Sequence, residues 1–330
     1  MQAVINTLTD LNNISPDMHI VTFIDTFNVS ISNVFWPESI RVVQFGYLFN
    51  RDICNVIWPK LLHTLIFGGL FDQEIQNMYW PNDICKLKFG WSFNRINLKW
   101  PDSLRELIFG ASFNQKLCNL PPLLNILGIG NNFNYNTNKF IFPSELNILK
   151  IFSAPINAIN YDWPKKLRIL YISIYHEFLN WPETLTALHL NIYNDNLDIC
   201  DMKWPILLNT LEIGGEYNRD IYAIPEINVL ILSQLFNCNI DKVHFPHTLH
   251  EITFGHKFNQ DISQVIFYEL YIIHDYSCII TINSCKFPKS LHKIIYYHTD
   301  WFSDNNGNIL YNPKIHYERK IGQFTKMANK

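Results

Sequence analysis

The chain has 330 residues, of which 48% are hydrophobic, 15% aromatic and 17% charged, with a formal net charge of −3. That balance provides for a large apolar core and lacks the basic footprint that nucleic acid demands, so a nucleic-acid partner is not expected. No run of 18 apolar residues offers a transmembrane helix, and the opening MQAVINTLTDLNN has neither the basic nor the apolar region of a secretory signal. A cytoplasmic protein with no membrane partner is therefore expected.

Residues 1–15 read as a short leader, a helical turn or cap over the first coil. From Pro16 the chain repeats. Prolines at 16, 37, 59, 81, 101, 121, 143, 164, 182, 205, 225, 246 and 288 fall on a near-regular grid, with Tyr268 at the one skipped place, giving a mean step of about 21 residues. The template is P-x-x-L-x-x-L-x-F-G-x-x-F-N-x-x-I, with an aromatic before the next proline. Pro101 opens PDSLRELIFGASFNQKL, and Pro246 opens the near copy PHTLHEITFGHKFNQDI. Internal repetition at this period marks a solenoid, in which each coil completes its neighbour's core and no coil stands alone.

Each template place has a physical reading. The leucines three and six places after proline and the phenylalanine eight after it, such as Leu62, Leu65 and Phe67, point one way; the last two are at strand spacing. The glycine after that phenylalanine (Gly46, Gly68, Gly90, Gly110, Gly130) ends the strand, for a turn with positive φ or for a close backbone approach. Ser153, Ser173, Asn191 and Ser233 replace it elsewhere, and Asn191 suits a left-handed turn. In the Phe-Asn pair (Phe49-Asn50, Phe93-Asn94, Phe258-Asn259), the phenylalanine returns to the core and the asparagine clamps backbone groups of its own and the adjacent coil. The aromatic before proline, tryptophan in Trp36, Trp58, Trp80, Trp100, Trp163, Trp181 and Trp204, is held extended and closes the core at a corner. The expected fold is a β-rich, leucine-rich-repeat-like solenoid of about 14 coils, with a parallel sheet along one face and little helix.

The regular units run to Pro143. From there to Pro205 the FG and FN signatures weaken, and Ser153-Ala154-Pro155, Tyr175-His176-Glu177 and Tyr193-Asn194-Asp195 stand in their place. Leu291, Ile294 and Tyr296 fit one last strand. The organisation read from this is a leader at 1–15, a repeat solenoid over 16–300, and a cap with a basic tail over 301–330, where Asp304-Asn305-Asn306-Gly307 makes a turn.

The compound motif FG-x-x-FN-x-x-I on this period resembles that of the FNIP-repeat proteins, leucine-rich-repeat-like proteins of social amoebae and of the giant viruses that infect amoebae. The likeness covers roughly residues 16–300. It departs in two ways: the proline of F-N-x-P is replaced, as in FNRDI at 49–53 and FNQDI at 258–262, and Trp-Pro stands where many relatives have Leu-Pro. The resemblance implies interaction through the repeats and brings no catalytic residues with it. Some members carry an F-box before the repeats; here the repeats begin near residue 16, and no F-box module is expected in this chain.

No G-x-S-x-G, Walker A, H-E-x-x-H or C-x-x-C occurs, so neither an enzyme nor a cofactor is expected. The seven cysteines are odd in number, and Cys54 and Cys118 share a slot three coils apart, too far for a disulfide; free thiols are expected. The histidines His244, His247, His250 and His256, with His274 one coil on, are the only group with metal-ligand chemistry. His250 shares its slot with His63 and His292, as a solvated place would, so a metal-dependent enzyme is the weakest alternative. The favoured reading is a scaffold that binds a protein partner through the outward row of the strand ladder, at Gln44, Ile66, Lys88, Ile108, Lys150, Tyr171, His189, Glu212 and Ile231, with a host protein as target if the chain is viral. The second alternative is an assembly protein that associates through exposed terminal strands.

Overall fold

The marker proline opens a β-turn in ten of the described repeats, Pro16 and Pro225, whose units are one residue shorter, being the exceptions. The proline carbonyl accepts the N–H of the leucine or isoleucine three places on, at 3.1 Å for Pro59–Leu62 and 3.2 Å for Pro37–Ile40, and the apolar residue is thereby turned inward. A computed structural model of the chain describes residues 1–95, 98–133, 141–152, 163–174, 181–193, 197–200, 202–255, 257–258 and 260, together with the strand backbones at 271–274, 293–296, 300–303, 309–312, 316–320 and 323–327. The chain divides into two compact units, Met1–Leu170 and Tyr171–Lys330. The described residues contain about 11 solenoid turns of about 21 residues, with almost no helix.

The first unit holds β1 (Gln2–Ile5), α1 (Leu8–Asn12), β2 (Ile20–Phe23), β3 (Val42–Gln44), β4 (Thr64–Ile66), β5 (Lys86–Lys88), β6 (Glu106–Ile108), β7 (Ile126–Ile129) and β8 (Ile148–Ile151), and β9 (Ile169–Ile174) crosses the division. β1 to β8 pair in parallel and in sequence order, register unbroken, so that Leu65 stands between Val43 and Leu87. The leader is thus a strand of the sheet followed by a short helix, whose Thr7–Asp10 capping box satisfies two of its end groups. Its alternation, exposed Val4 and buried Ile5, spans four residues and has no template to announce it.

The second unit holds β10 (Ala187–Ile192), β11 (Thr210–Gly215), β12 (Val229–Leu232), β13 (Glu251–Phe254), β14 (Tyr271–His274) and β15 (Lys293–Tyr296), again parallel and in order. Beyond them β16 (Asp300–Ser303) pairs antiparallel with β17 (Ile309–Asn312), and β18 (His316–Lys320) with β19 (Gln323–Met327). Tyr268, the 153–155 and 175–177 segments, Asn194-Asp195, Asn259, Leu291, His292, Asp304–Gly307 and His256 lie outside the described residues.

The core takes the template places as expected. Leu62, Leu65, Leu104 and Leu107 are fully buried, and the two phenylalanines of each coil form two columns. Phe67 and Phe71 lie 4.0 Å apart within a coil; Phe71 stacks on Phe49 and Phe93 at 6.2 Å each, and Phe67 on Phe89 at 5.2 Å. These are near-parallel rings with offset-stack separations. Trp58 closes the corner at 7% exposure and stacks on Trp36 at 5.8 Å, while the other described corner tryptophans are half-buried.

The strand-end glycine is required by approach and not by φ. Among the described residues positive φ belongs only to Gly215 and Asn119. At Gly68 a Cβ would lie 1.8 Å from the Gly46 carbonyl oxygen, and at Gly90 2.0 Å from that of Gly68. Asn191 likewise keeps an ordinary φ, so the left-handed reading of that slot is replaced by a clearance constraint between coils.

The asparagine clamp takes a defined form. The side-chain oxygen of Asn28 accepts the backbone N–H of Asn50, that of Asn50 the N–H of Asp72, that of Asp72 the N–H of Asn94, and that of Asn94 the N–H of Asn114, all at 2.9–3.0 Å. The next residue reaches back to the same place: Gln73 donates to Asn50 and Gln115 to Asn94. At the aspartate of the ladder the residue that reaches back is Arg95, which grips Asp72 through Nε (3.0 Å) and Nη2 (2.7 Å), while Arg51 in the same slot reaches the Asn28 carbonyl at 2.8 Å. The carboxylate thereby gains a two-pronged cationic partner.

One coil departs from the template at cost. Tyr217 fills a phenylalanine slot at 3% exposure, where its buried hydroxyl makes no well-formed hydrogen bond among the described residues and has the Ile199 backbone as a poorly placed partner. Burial, first, and the nearby Cys200 and Asp198, second, push its phenol well above the ordinary range, and the Ile199 backbone offsets this only in part. Tyr217→Phe is expected to stabilise the protein by about 1 kcal/mol, the low end of the about 1–3 kcal/mol that an unsatisfied buried hydroxyl costs, because the Ile199 backbone satisfies this one poorly; a denaturant midpoint that falls would contradict this.

Candidate protein-binding surface

Parallel pairing without slippage carries the outward residues into rows. In the first unit Thr22, Gln44, Ile66, Lys88, Ile108, Gly128 and Lys150 are successive register partners. In the second unit His189, Glu212, Ile231 and Thr253 follow one another in the same way. All nine sequence-chosen residues therefore sit at outward places of their strands. Gln44 and Lys88 are exposed, while Ile66, Ile108, Lys150, Tyr171, His189, Glu212 and Ile231 are half-buried, each shaded by its row neighbours. The rows are consequently less apolar to solvent than their isoleucines suggest.

Polar pairs are built into this face. On the adjoining row Lys86 and Glu106, register partners, form an ion pair of 2.9 Å with side chains 36% and 19% exposed. In the second unit the Tyr171 ring stacks on His189 at 3.9 Å, and Glu212 engages His189 Nδ1. That leaves Nε2 as the ring's remaining donor or acceptor. Burial, and then the Glu212 charge, raise the Tyr171 phenol above its ordinary value. Beside Glu212, the ends of β11 to β13 frame a cavity of about 490 Å³ bordered by Asn191, Gly214, Ile231, Ser233 and Gly255. The sequence pattern marked Tyr171, His189 and Glu212 one by one, and the structure brings them together as a group.

His244, His247 and His250 belong to the second unit, and no group of three metal-ligating side chains occurs among the described residues. The described cysteines Cys54, Cys85, Cys118, Cys200 and Cys238 are free thiols. No helix among the described residues is long and apolar enough to cross a membrane.

A parallel ladder with inward leucines and outward varied residues, closed by turns instead of helices, defines a leucine-rich-repeat-like solenoid. No family model and no curated protein matches the chain. Among solved structures CroV588, from a giant virus and described as a novel circular LRR protein, is similar over 88% of this chain and 51% of its own, with 26% identity and a TM-score of 0.56. YopM from Yersinia enterocolitica is 16% identical over 87% of this chain and 56% of its own, with a TM-score of 0.39. An internalin, inlF, from Listeria monocytogenes is 16% identical over 86% of this chain and 88% of its own, at 0.45. The chain spans about half the length of CroV588.

Proposed function

We propose that the chain is a non-enzymatic repeat scaffold of the FNIP type that binds another protein through the outward rows of its strand ladder. The observation that carries this reading is the contrast between the two sides of one strand. Val43, Leu65, Leu87 and Leu107 face inward in monotonous register, while Gln44, Ile66, Lys88 and Ile108, one residue on, change from coil to coil. Core packing explains the first set and demands nothing of the second. A face that varies on a fixed frame is suited to reading a partner's surface. In a viral setting that partner is a host protein, met in the host cytoplasm.

The test is affinity capture from native or infected cells, followed by binding of the purified captured protein. The triple change of Ile66, Ile108 and Tyr171 to Asp is expected to remove binding while the circular-dichroism spectrum stays that of the folded parent, with an unfolding midpoint lowered by the loss of three half-buried strand side chains. Undiminished binding by the folded triple variant would reject the outward rows as the interface.

A further inference from the structure

The most exposed large apolar residues among the described residues of the first unit, Phe35, Ile57, Tyr79 and Ile141, all stand two places before a proline, away from the sheet. Phe35, Ile57 and Tyr79 hold that slot in three successive coils and are 96%, 82% and 87% exposed. Single exposed apolar residues are ordinary, but a column of three is a patch. Between Ile57 and Tyr79 lies a groove of about 640 Å³, with Trp58, Trp80, Lys60 and Asp83 among its walls. One place after Pro37 and Pro59 stands a pair of opposite charges, Glu38 and Lys60, with side chains 80% and 85% exposed and 4.0 Å apart.

We propose that this corner is the contact between two copies of the chain, related by a two-fold axis passing between the Pro37 and Pro59 corners. Such an axis reverses the order of the coils and preserves which column faces which. It sets Glu38 of one copy against Lys60 of the other, twice, and Phe35 of each copy on Ile57 of the other. Phe35 then sits at the mouth of the groove between Ile57 and Tyr79, the place an aromatic anchor requires. The two charges are complementary to their own reversed copy, as a pairing of identical chains requires. Phe35 and Tyr79 each carry about 150–250 Å²; with Ile57 and the stems of Glu38 and Lys60 the patch approaches the roughly 800 Å² per partner of a standard interface. This surface is separate from the outward rows of the sheet.

Sedimentation equilibrium on the full chain tests the pairing. A reversible dimer is expected at concentrations on the order of 100 μM or below. Glu38→Lys alone and Lys60→Glu alone are each expected to weaken it by on the order of tenfold or more, since each places like charges opposite one another. An equimolar mixture of the two variants is expected to form a heterodimer as tight as the parent. One copy then presents a base at both positions and the other an acid at both, so every facing pair across the axis is again of opposite sign. Recovery on mixing cannot come from a folding defect or from the pair within one copy. Ile57→Asp is expected to abolish association while leaving binding at the sheet rows intact. A strict monomer, association indifferent to Ile57→Asp, or variants that fail to complement on mixing would each overturn the proposal.

Discussion

Gly68→Ala is expected to destabilise the protein by about 3 kcal/mol, at the upper end of overpacking costs, whereas Gly69→Ala, one residue on, is expected to be nearly neutral. The two glycines differ in what a methyl group would meet. At Gly68 it falls 1.8 Å from the Gly46 carbonyl oxygen and 3.0 Å from the Tyr47 Cα, all backbone of the preceding coil. Relief requires the coils to part. That strains the bonds joining them on either side, Phe45 N–H to the Ile66 carbonyl at 2.8 Å and Leu70 N–H to the Tyr47 carbonyl at 2.9 Å. At Gly69 the methyl group meets only the ring of Tyr47, which is 51% exposed and free to swing aside. There the loss of unfolded-chain entropy on replacing glycine offsets part of the cost. Denaturant midpoints separate the two, and hydrogen exchange at the Phe45 and Leu70 amides reports where the strain falls. Equal midpoints would mean that the coils slide to accept a methyl group.

This pair shows where sequence reading succeeds and where it stops. The period, the inward leucines, the phenylalanine columns and the sheet register were legible because each recurs and each follows from strand or turn geometry at a fixed offset. The reason for the strand-end glycine was not: positive φ and close approach both call for glycine, and only the distance to Gly46 decides. The aspartate at 72 and the arginine at 95 look like scatter in the template until the ladder joins them across 23 residues. β1 was missed because its four residues precede the first marker proline. The outward rows were found as positions, yet their half-buried state depends on neighbours one coil away. The corner column was passed over for the opposite reason. Phe35, Ile57 and Tyr79 precede the aromatic-proline pair, and in sequence they merge with the apolar run that closes the core; only exposure tells them apart from Trp36, Trp58 and Trp80.

The same distinction sets the second large effect. Phe71→Ala is expected to cost about 3–5 kcal/mol, the range for emptying a buried aromatic site, while Phe35→Ala is expected to leave the unfolding midpoint almost unchanged. Phe71 is fully buried and touches three rings: Phe67 in its own coil, and Phe49 and Phe93 in the coils on either side. Removing it opens a void at two coil–coil interfaces at once, and in a stacked repeat each interface is a separate term in the stability. Phe71→Leu retains most of the volume but not the stacking, worth about 0.5–1.5 kcal/mol per aromatic pair, and should fall between. A double-mutant cycle locates the effect. Phe71 with Phe93, in contact, is expected to show a coupling of about 0.5–3 kcal/mol, whereas Phe27 with Phe93, three coils apart, is expected to add within about 0.5 kcal/mol. Additive behaviour of the touching pair would show that the column is a set of independent hydrophobic sites and that ring stacking does not transmit stability from coil to coil.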